Sequence, residues 1–72
     1  MVNLSTRLKD LKTKNNVSQT DIANAVGLSL RGYQRYERGE RKPDSDTLIK
    51  LASYFQVSID YLLGCSDDPT RH

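Results

Sequence analysis

A linker of only three residues between two helical segments constrains the fold of this chain more than any other feature. Apolar residues recur at helical spacing on both sides of Gly27-Leu28-Ser29. So short a linker favours two helices that cross steeply over an antiparallel hairpin. Gly27 accepts the positive φ that such a corner needs, Leu28 is an apolar plug for the turn, and Ala23 is a small residue for the point of crossing.

The same spacing continues along the chain and predicts five short helices without strands. The helices are expected at 5–14, 18–26, 29–37, 45–55 and between Ser58 and Gly64. Serine or aspartate stands at the start of four of them, which is typical of N-caps. The residues expected to face inward are Leu4, Leu8, Leu11, Ile22, Ala23, Val26, Tyr33, Tyr36, Leu48, Ile49, Leu51, Ala52, Phe55, Ile59, Leu62 and Leu63. This pattern predicts a compact all-α domain.

The length of 72 residues allows one domain with a modest core. We expect that domain at 1–64 and a polar C-terminal tail at 65–72. The single cysteine, Cys65, fits a reducing cytoplasm, and no apolar run is long enough for a membrane span. The sequence contains no catalytic triad, no Cys/His cluster for zinc and no Gly-rich phosphate loop, so we expect no enzyme, no cofactor, no metal and no small-molecule ligand.

Charge is distributed unevenly along the chain. Residues 1–42 hold nine Lys and Arg against four acidic residues, and residues 43–72 hold two against five. The basic first part favours a surface that meets polyanions. The alternative is an ordinary solvated surface, and the asymmetry alone does not decide between them.

The outward face of the helix after the corner is polar or cationic with one exception. Its residues are Leu30, Arg31, Gln34, Arg35 and Arg38. A major groove about 12 Å wide admits one helix, and Arg and Gln pair there with guanine and adenine edges. The face therefore predicts a helix that reads base edges in double-stranded DNA.

In its glycine corner, its helix spacing and the outward residues of the helix after the corner, the chain resembles the phage repressor/Cro helix-turn-helix family. This family is also called the xenobiotic-response-element family. The likeness covers about residues 4–64. Its most specific parts are Ser18-Gln19, Val26-Gly27-Leu28-Ser29, Tyr36-Glu37-Arg38-Gly39, Arg41-Lys42-Pro43 and Val57-Ser58-Ile59-Asp60-Tyr61-Leu62-Leu63. The resemblance implies a five-helix lambda-repressor-like domain that binds DNA as a transcriptional regulator, with repression as the expected output.

The resemblance also implies roles for individual residues. Base edges would be met by Leu30, Arg31 and Arg35, and by Gln34, which lies on the flank and could instead reach the backbone. The phosphate-binding set would be Gln19, Ser29, Arg38, Arg41 and Lys42. Lys12 would pair with Glu37 and tie the first helix to the end of the third.

Several alternatives stay open at this stage. Leu30 could contact a thymine methyl group or fill the turn. Gly32, unusual inside a helix, could allow a close approach to DNA or be tolerated drift. Tyr54 and Tyr61 could mark a partner surface or belong to the core. The fold could also serve as a protein-interaction module, such as an antitoxin or a polymerase-factor-binding domain, and RNA binding is disfavoured by the narrow A-form groove.

The family resemblance further implies assembly. We expect a homodimer on a near-palindromic operator with half-sites about one helical turn apart. The last helix with Tyr61 and the tail are the expected dimer contacts.

Overall fold

A computed structural model describes residues 3–65, and these residues form five helices and no strand. The helices are α1 (Leu4–Lys14), α2 (Gln19–Val26), α3 (Leu30–Glu37), α4 (Ser45–Phe55) and α5 (Ile59–Leu62). The all-α fold is therefore confirmed, with helix bounds within about a residue of the prediction. The expected tail beyond Cys65 lies outside the described residues, so the domain boundary at residue 64 stays a prediction.

Side-chain caps set where the helices begin. Every helix has an N-cap whose side chain accepts a backbone N–H of the first turn, and these residues are Asn3, Ser18, Ser29, Asp44 and Ser58. Ser18 and Asp21 form a reciprocal capping box at the start of α2. Gly27 ends α2 in the left-handed region with φ of 73°. A left-handed glycine allows the chain to leave α2 and start α3 three residues later.

The core is built mainly from the inward faces of the first four helices. Its members are Leu8, Leu11, Ile22, Ala23, Val26, Tyr33, Tyr36, Leu51, Ala52, Phe55, Val57, Tyr61 and Leu62. Leu28 packs partly buried against this cluster, so the predicted apolar plug of the turn is confirmed. Tyr33 and Tyr36 are also confirmed as core residues. Because α3 packs against both α1 and α2, one face of α3 is anchored and the opposite face is left outward.

Three residues that the sequence places inward are exposed instead. Ile49 has 52% of its surface exposed, and Ile59 and Leu63 are exposed as well. At about 100° per residue, Ile49 lies at the edge of the arc that α4 turns to the core. In the four-residue helix α5 the inward side is taken by Tyr61 and Leu62, so the neighbouring positions turn outward.

Tyr61 is buried within its own chain, which corrects its assignment to a dimer contact. The Arg7 guanidinium lies 3.8 Å from the centre of the Tyr61 ring, and Arg7 Nε donates to the Tyr61 carbonyl at 2.9 Å. Tyr54 is half-buried and lies edge-on to Phe55, which favours the packing role left open for it. No helix among residues 3–65 is long and apolar enough to cross a membrane.

Candidate nucleic-acid interface

The outward face of α3 carries three exposed side chains from the predicted base-reading set. Leu30, Arg31 and Arg35 are exposed, and Gln34 is half-buried on the flank. Because 42% of its surface is exposed, Leu30 does not fill the turn, which leaves the apolar contact with DNA as its predicted role. The opposite face of α3 is held in the core by Tyr33, Tyr36 and Glu37.

Ser29 lies at the N-terminal end of this face and caps it. Its Oγ accepts the Gly32 backbone N–H at 3.0 Å, and a Cβ added to Gly32 would lie only 3.1 Å from the same Oγ. The cap thus gives an intramolecular reason for glycine at position 32. The predicted close approach of this backbone to DNA is a separate hypothesis.

A buried carboxylate links three helices beneath the same face. Glu37 is only 4% exposed, and its Oε1 accepts from Lys12 Nζ at 3.0 Å and from Gln19 Nε2 at 3.3 Å. Gln19 Oε1 in turn accepts from Gln34 Nε2 at 3.0 Å. The predicted pair between Lys12 and Glu37 is confirmed. The bond from Gln34 to Gln19 places the start of α2 beside the outward face of α3.

Tyr33 places its hydroxyl beside this carboxylate. Burial raises the pKa of the Tyr33 hydroxyl, and the nearby Glu37 carboxylate raises it further, so the phenol stays neutral. The Tyr33 hydroxyl and Glu37 Oε2 are both buried, and no hydrogen bond of ordinary geometry reaches either atom within the described chain. A neutral phenol beside a carboxylate is a donor beside an acceptor, so a small side-chain shift would satisfy both.

The cations of the predicted phosphate-binding set follow α3. Arg38 is exposed and its Nε lies 3.3 Å from Glu40 Oε2. Arg41 and Lys42 are exposed and line a groove of about 410 Å³ with Tyr36 and Leu63. An exposed ion pair is weak, so the pairing with Glu40 leaves Arg38 available for a phosphate.

Two contacts that hold α3 in place escaped the sequence analysis. Ser5 Oγ donates to the Glu37 carbonyl, so the start of α1 ties down the last turn of α3. Gln34 donates to Gln19 across the corner. Neither contact has a periodic signal in the sequence, because each joins a side chain to an atom of a different helix. No group of three or more His, Cys, Asp or Glu suited to a metal ion occurs among residues 3–65.

The three-residue corner between α2 and α3, the anchored inner face of α3 and its cationic outer face together define a helix-turn-helix domain. The family model described as helix-turn-helix matches residues 8–62. The chain belongs to the helix-turn-helix family, as its resemblance predicts.

Its relatives include transcriptional regulators, one of them a repressor of a cryptic phage. The transcriptional regulator ImmR of Bacillus subtilis is 40% identical over 63 residues, which are 88% of this chain and 50% of ImmR. The CTXphi transcriptional repressor RstR of Vibrio cholerae is 38% identical over 58 residues, which are 81% of this chain and 52% of RstR. The chain thus spans about half the length of these relatives.

The fold also matches a solved structure over most of this chain. The P22 c2 repressor, in complex with a synthetic operator, superposes with a TM-score of 0.85 at 27% sequence identity. The match covers 92% of this chain and 100% of that one. The predicted lambda-repressor-like architecture is therefore confirmed.

Proposed function

We propose that this chain is the sequence-specific DNA-binding domain of a transcriptional repressor and that α3 enters the major groove. The observation that carries this proposal is the pair of exposed arginines, Arg31 and Arg35, on a helix whose other face is locked into the core. Support comes from the P22 c2 repressor, a protein of the same fold held on an operator. We expect no catalytic activity, and we expect the protein to work in the cytoplasm.

The contacts divide into two groups with different consequences. Arg31 and Arg35 read base edges, with Leu30 as an apolar reader for a thymine methyl group. The phosphate-binding residues are Gln19, Ser29, Arg38, Arg41 and Lys42, which position the domain without reading sequence. Neutralisation of phosphates by Arg38, Arg41 and Lys42 releases counterions from the DNA, which makes the affinity depend steeply on salt.

Assembly is the second part of the proposal. A homodimer on a near-palindromic operator would place two copies of α3 in successive major grooves, about one helical turn apart. The α5 residues Ile59 and Leu63 are exposed, and they replace the buried Tyr61 as the apolar side chains of α5 that a second copy would meet. Occupation of an operator by the dimer would repress by blocking polymerase.

Selection of duplexes from a random pool at physiological salt tests this function. A single recovered motif with two symmetric half-sites is expected. Arg35→Ala should cost about 1–3 kcal/mol of binding and relax the preference at one base pair, whereas Lys42→Ala should weaken all sequences alike and lower the salt slope by about one unit.

Lys50→Ala is a charge-matched control, because Lys50 is exposed on α4, which contributes none of the proposed contacts. This variant should keep both the motif and most of the affinity. If Arg35→Ala and Lys42→Ala behave identically across operator variants, the division of roles is wrong. If the wild-type protein binds a protein partner tightly and no duplex at low salt, the DNA-binding function is wrong.

A further inference from the structure

The carbonyl groups in the last turn of α3 receive their donors from two different parts of the chain. Such carbonyls have no partner inside their own helix. Two of the donors come from the turn that follows α3, in the bonds from Glu40 to Arg35 at 2.9 Å and from Gly39 to Tyr36 at 3.1 Å. The last carbonyl, that of Glu37, accepts instead from the Ser5 hydroxyl of α1. The first turn of α1 therefore completes the C-terminal cap of α3.

Ser5 also lies against the turn through which the chain leaves α3. Gly39 makes this turn with a φ of 74°, and a Cβ built on it would lie 3.8 Å from Ser5 Cβ and 4.0 Å from Ser5 Oγ. Apart from the chain neighbours of Gly39, no other residue among those described comes within 4 Å of that position. One half-buried serine thus hydrogen-bonds the end of α3 and supports the backbone that follows it.

Two cations of the proposed phosphate-binding set, Arg41 and Lys42, come directly after this turn. We name residues 39–42 the basic loop. Within residues 3–65, residues 41–43 take part in no backbone–backbone hydrogen bond, so the position of the basic loop depends on what holds its two ends. One end is the Gly39 turn on Ser5, and the other is followed by Pro43, which is buried. Both cations line the same groove as Ser5.

The affinity that a loop cation adds depends on how well its backbone is held before DNA arrives. Ordering a loop on binding costs conformational entropy, and a loop that is already ordered avoids most of this cost. Without the Ser5 hydroxyl, the Glu37 carbonyl would lose its protein donor and the Gly39 turn would lose one of its two supports. The ordering cost of the basic loop would then be added to DNA binding.

We propose that Ser5 is a positioning residue for DNA binding, which holds the basic loop so that Arg41 and Lys42 reach the phosphates. The inference rests on the proposed function of sequence-specific DNA binding. It extends the binding machinery to α1, a helix that supplies none of the proposed DNA contacts itself.

The experiment compares Ser5→Ala with Thr6→Ala on the duplex motif that the wild-type protein selects. Thr6 is the matched control, because it is exposed in the same turn and its Oγ1 donates only within that turn, to Asn3 Oδ1 at 3.1 Å. Between about 50 and about 200 mM salt, Ser5→Ala should bind about 2- to 10-fold more weakly, with a salt slope flatter by about one unit. Thr6→Ala should match the wild type in both, and neither variant should change the base preference.

A purely structural role for Ser5 is tested by repeating the substitution in the Arg41→Ala/Lys42→Ala background. If Ser5 acts through these two cations, Ser5→Ala should leave the affinity and the salt slope of that background unchanged. Circular dichroism at the binding temperature checks that each variant is folded. Ser5→Cys, which has a similar shape and only a weak donor, should flatten the slope in the same direction and replaces Ser5→Ala if the alanine variant does not fold.

The outcomes separate the two proposals. If the wild-type protein selects no motif, the proposed function and this inference both fail. If it selects a motif but Ser5→Ala keeps the wild-type salt slope, or weakens binding by the same factor with and without Arg41 and Lys42, only the inference fails. A changed base preference in Ser5→Ala would also overturn it, since the effect would then lie in α3 and not in the basic loop.

Discussion

Ser29 shows how much a single side chain decides at the entry to α3. The sequence marks it as an N-cap, and its hydroxyl accepts the N–H of Gly32 at 3.0 Å. The same oxygen would lie 3.1 Å from a Cβ at position 32. Glycine there costs helix propensity but leaves the cap undisturbed, so the two residues depend on each other.

A double-mutant cycle tests this dependence at the residue scale. Gly32→Ala alone should change the free energy of unfolding by less than about 0.5 kcal/mol, because a propensity gain of about 1 kcal/mol is offset by the crowded cap. In the Ser29→Ala background, Gly32→Ala should stabilise by about 1 kcal/mol, since the clash is gone. Urea denaturation of the four proteins measures the coupling, and an equal effect in both backgrounds would contradict it.

At the scale of the elements, caps and corners decide where each helix starts and stops. Asp21 completes the capping box of α2 by accepting the Ser18 N–H at 3.0 Å, and Asp44 accepts the Thr47 N–H at 2.8 Å at the start of α4. Gly27 ends α2 with a positive φ. Each cap, and the glycine at the corner, acts on residues close in sequence, so each can be tested by a substitution that leaves the core packing unchanged.

The two aspartate caps predict a loss of stability in acid. The Ser18 backbone N–H, with the Ser18 side chain, lowers the pKa of Asp21, and the Thr47 backbone N–H, with the Thr47 side chain, does the same for Asp44. Folded pKa values below the ordinary 3.8 mean that this stability is present above that pH and is lost as the pH falls through the folded pKa values. Asp21→Asn/Asp44→Asn keeps acceptor oxygens and should show a smaller fall of Tm between about pH 5 and about pH 2. An identical fall in Tm would show that these carboxylates do not contribute.

The left-handed backbone at the corner between α2 and α3 predicts that two substitutions of Gly27 destabilise the fold to different extents. Gly27→Ala should lower the free energy of unfolding by about 1–2 kcal/mol, through backbone strain alone, because a Cβ at this position meets nothing within 4 Å. Gly27→Asn should lose less, since asparagine tolerates the left-handed region better. Urea denaturation gives both values, and an alanine variant as stable as the wild type, or more stable than the asparagine variant, would refute the argument.

At the scale of the whole molecule, side chains join helices that are far apart in sequence. Arg7 of α1 both donates to the Tyr61 carbonyl and covers the Tyr61 ring, across 54 positions of sequence. Glu37 joins α3 to Lys12 of α1 and Gln19 of α2. These contacts add polar links between helices to the apolar packing of a small core.

Loss of the Arg7 contacts with Tyr61 should destabilise the region around α5. Arg7→Met keeps the apolar stem but loses the hydrogen bond and the ring contact, and should cost about 2 kcal/mol of unfolding free energy. Lys9→Met is the control, because Lys9 is exposed on the same helix and should change stability by less than about 0.5 kcal/mol. Hydrogen exchange of the Leu62 and Leu63 amides should become faster in Arg7→Met only. Equal losses in both variants would show that the contact with Tyr61 contributes nothing.

Local features of the sequence were sufficient to predict the helices, four of the five N-caps, the glycine corner and the outward cations of α3, since each depends on residues within a few positions of one another. The pair between Lys12 and Glu37 came from family resemblance. Periodicity misplaced Ile49, Ile59 and Leu63, because it identifies apolar residues without showing how wide an arc the neighbouring helices cover.

Only the tertiary structure decided which side chains meet across helices. The bond from Gln34 to Gln19, the Ser5 contact with Glu37 and the burial of Tyr61 under Arg7 all join elements whose relative placement no local pattern specifies. A helix's own residues determine that it forms and which face is apolar. Which partner a polar atom finds in another helix depends on how whole helices pack. Burial makes an unpaired polar atom costly, so packing and pairing are decided together.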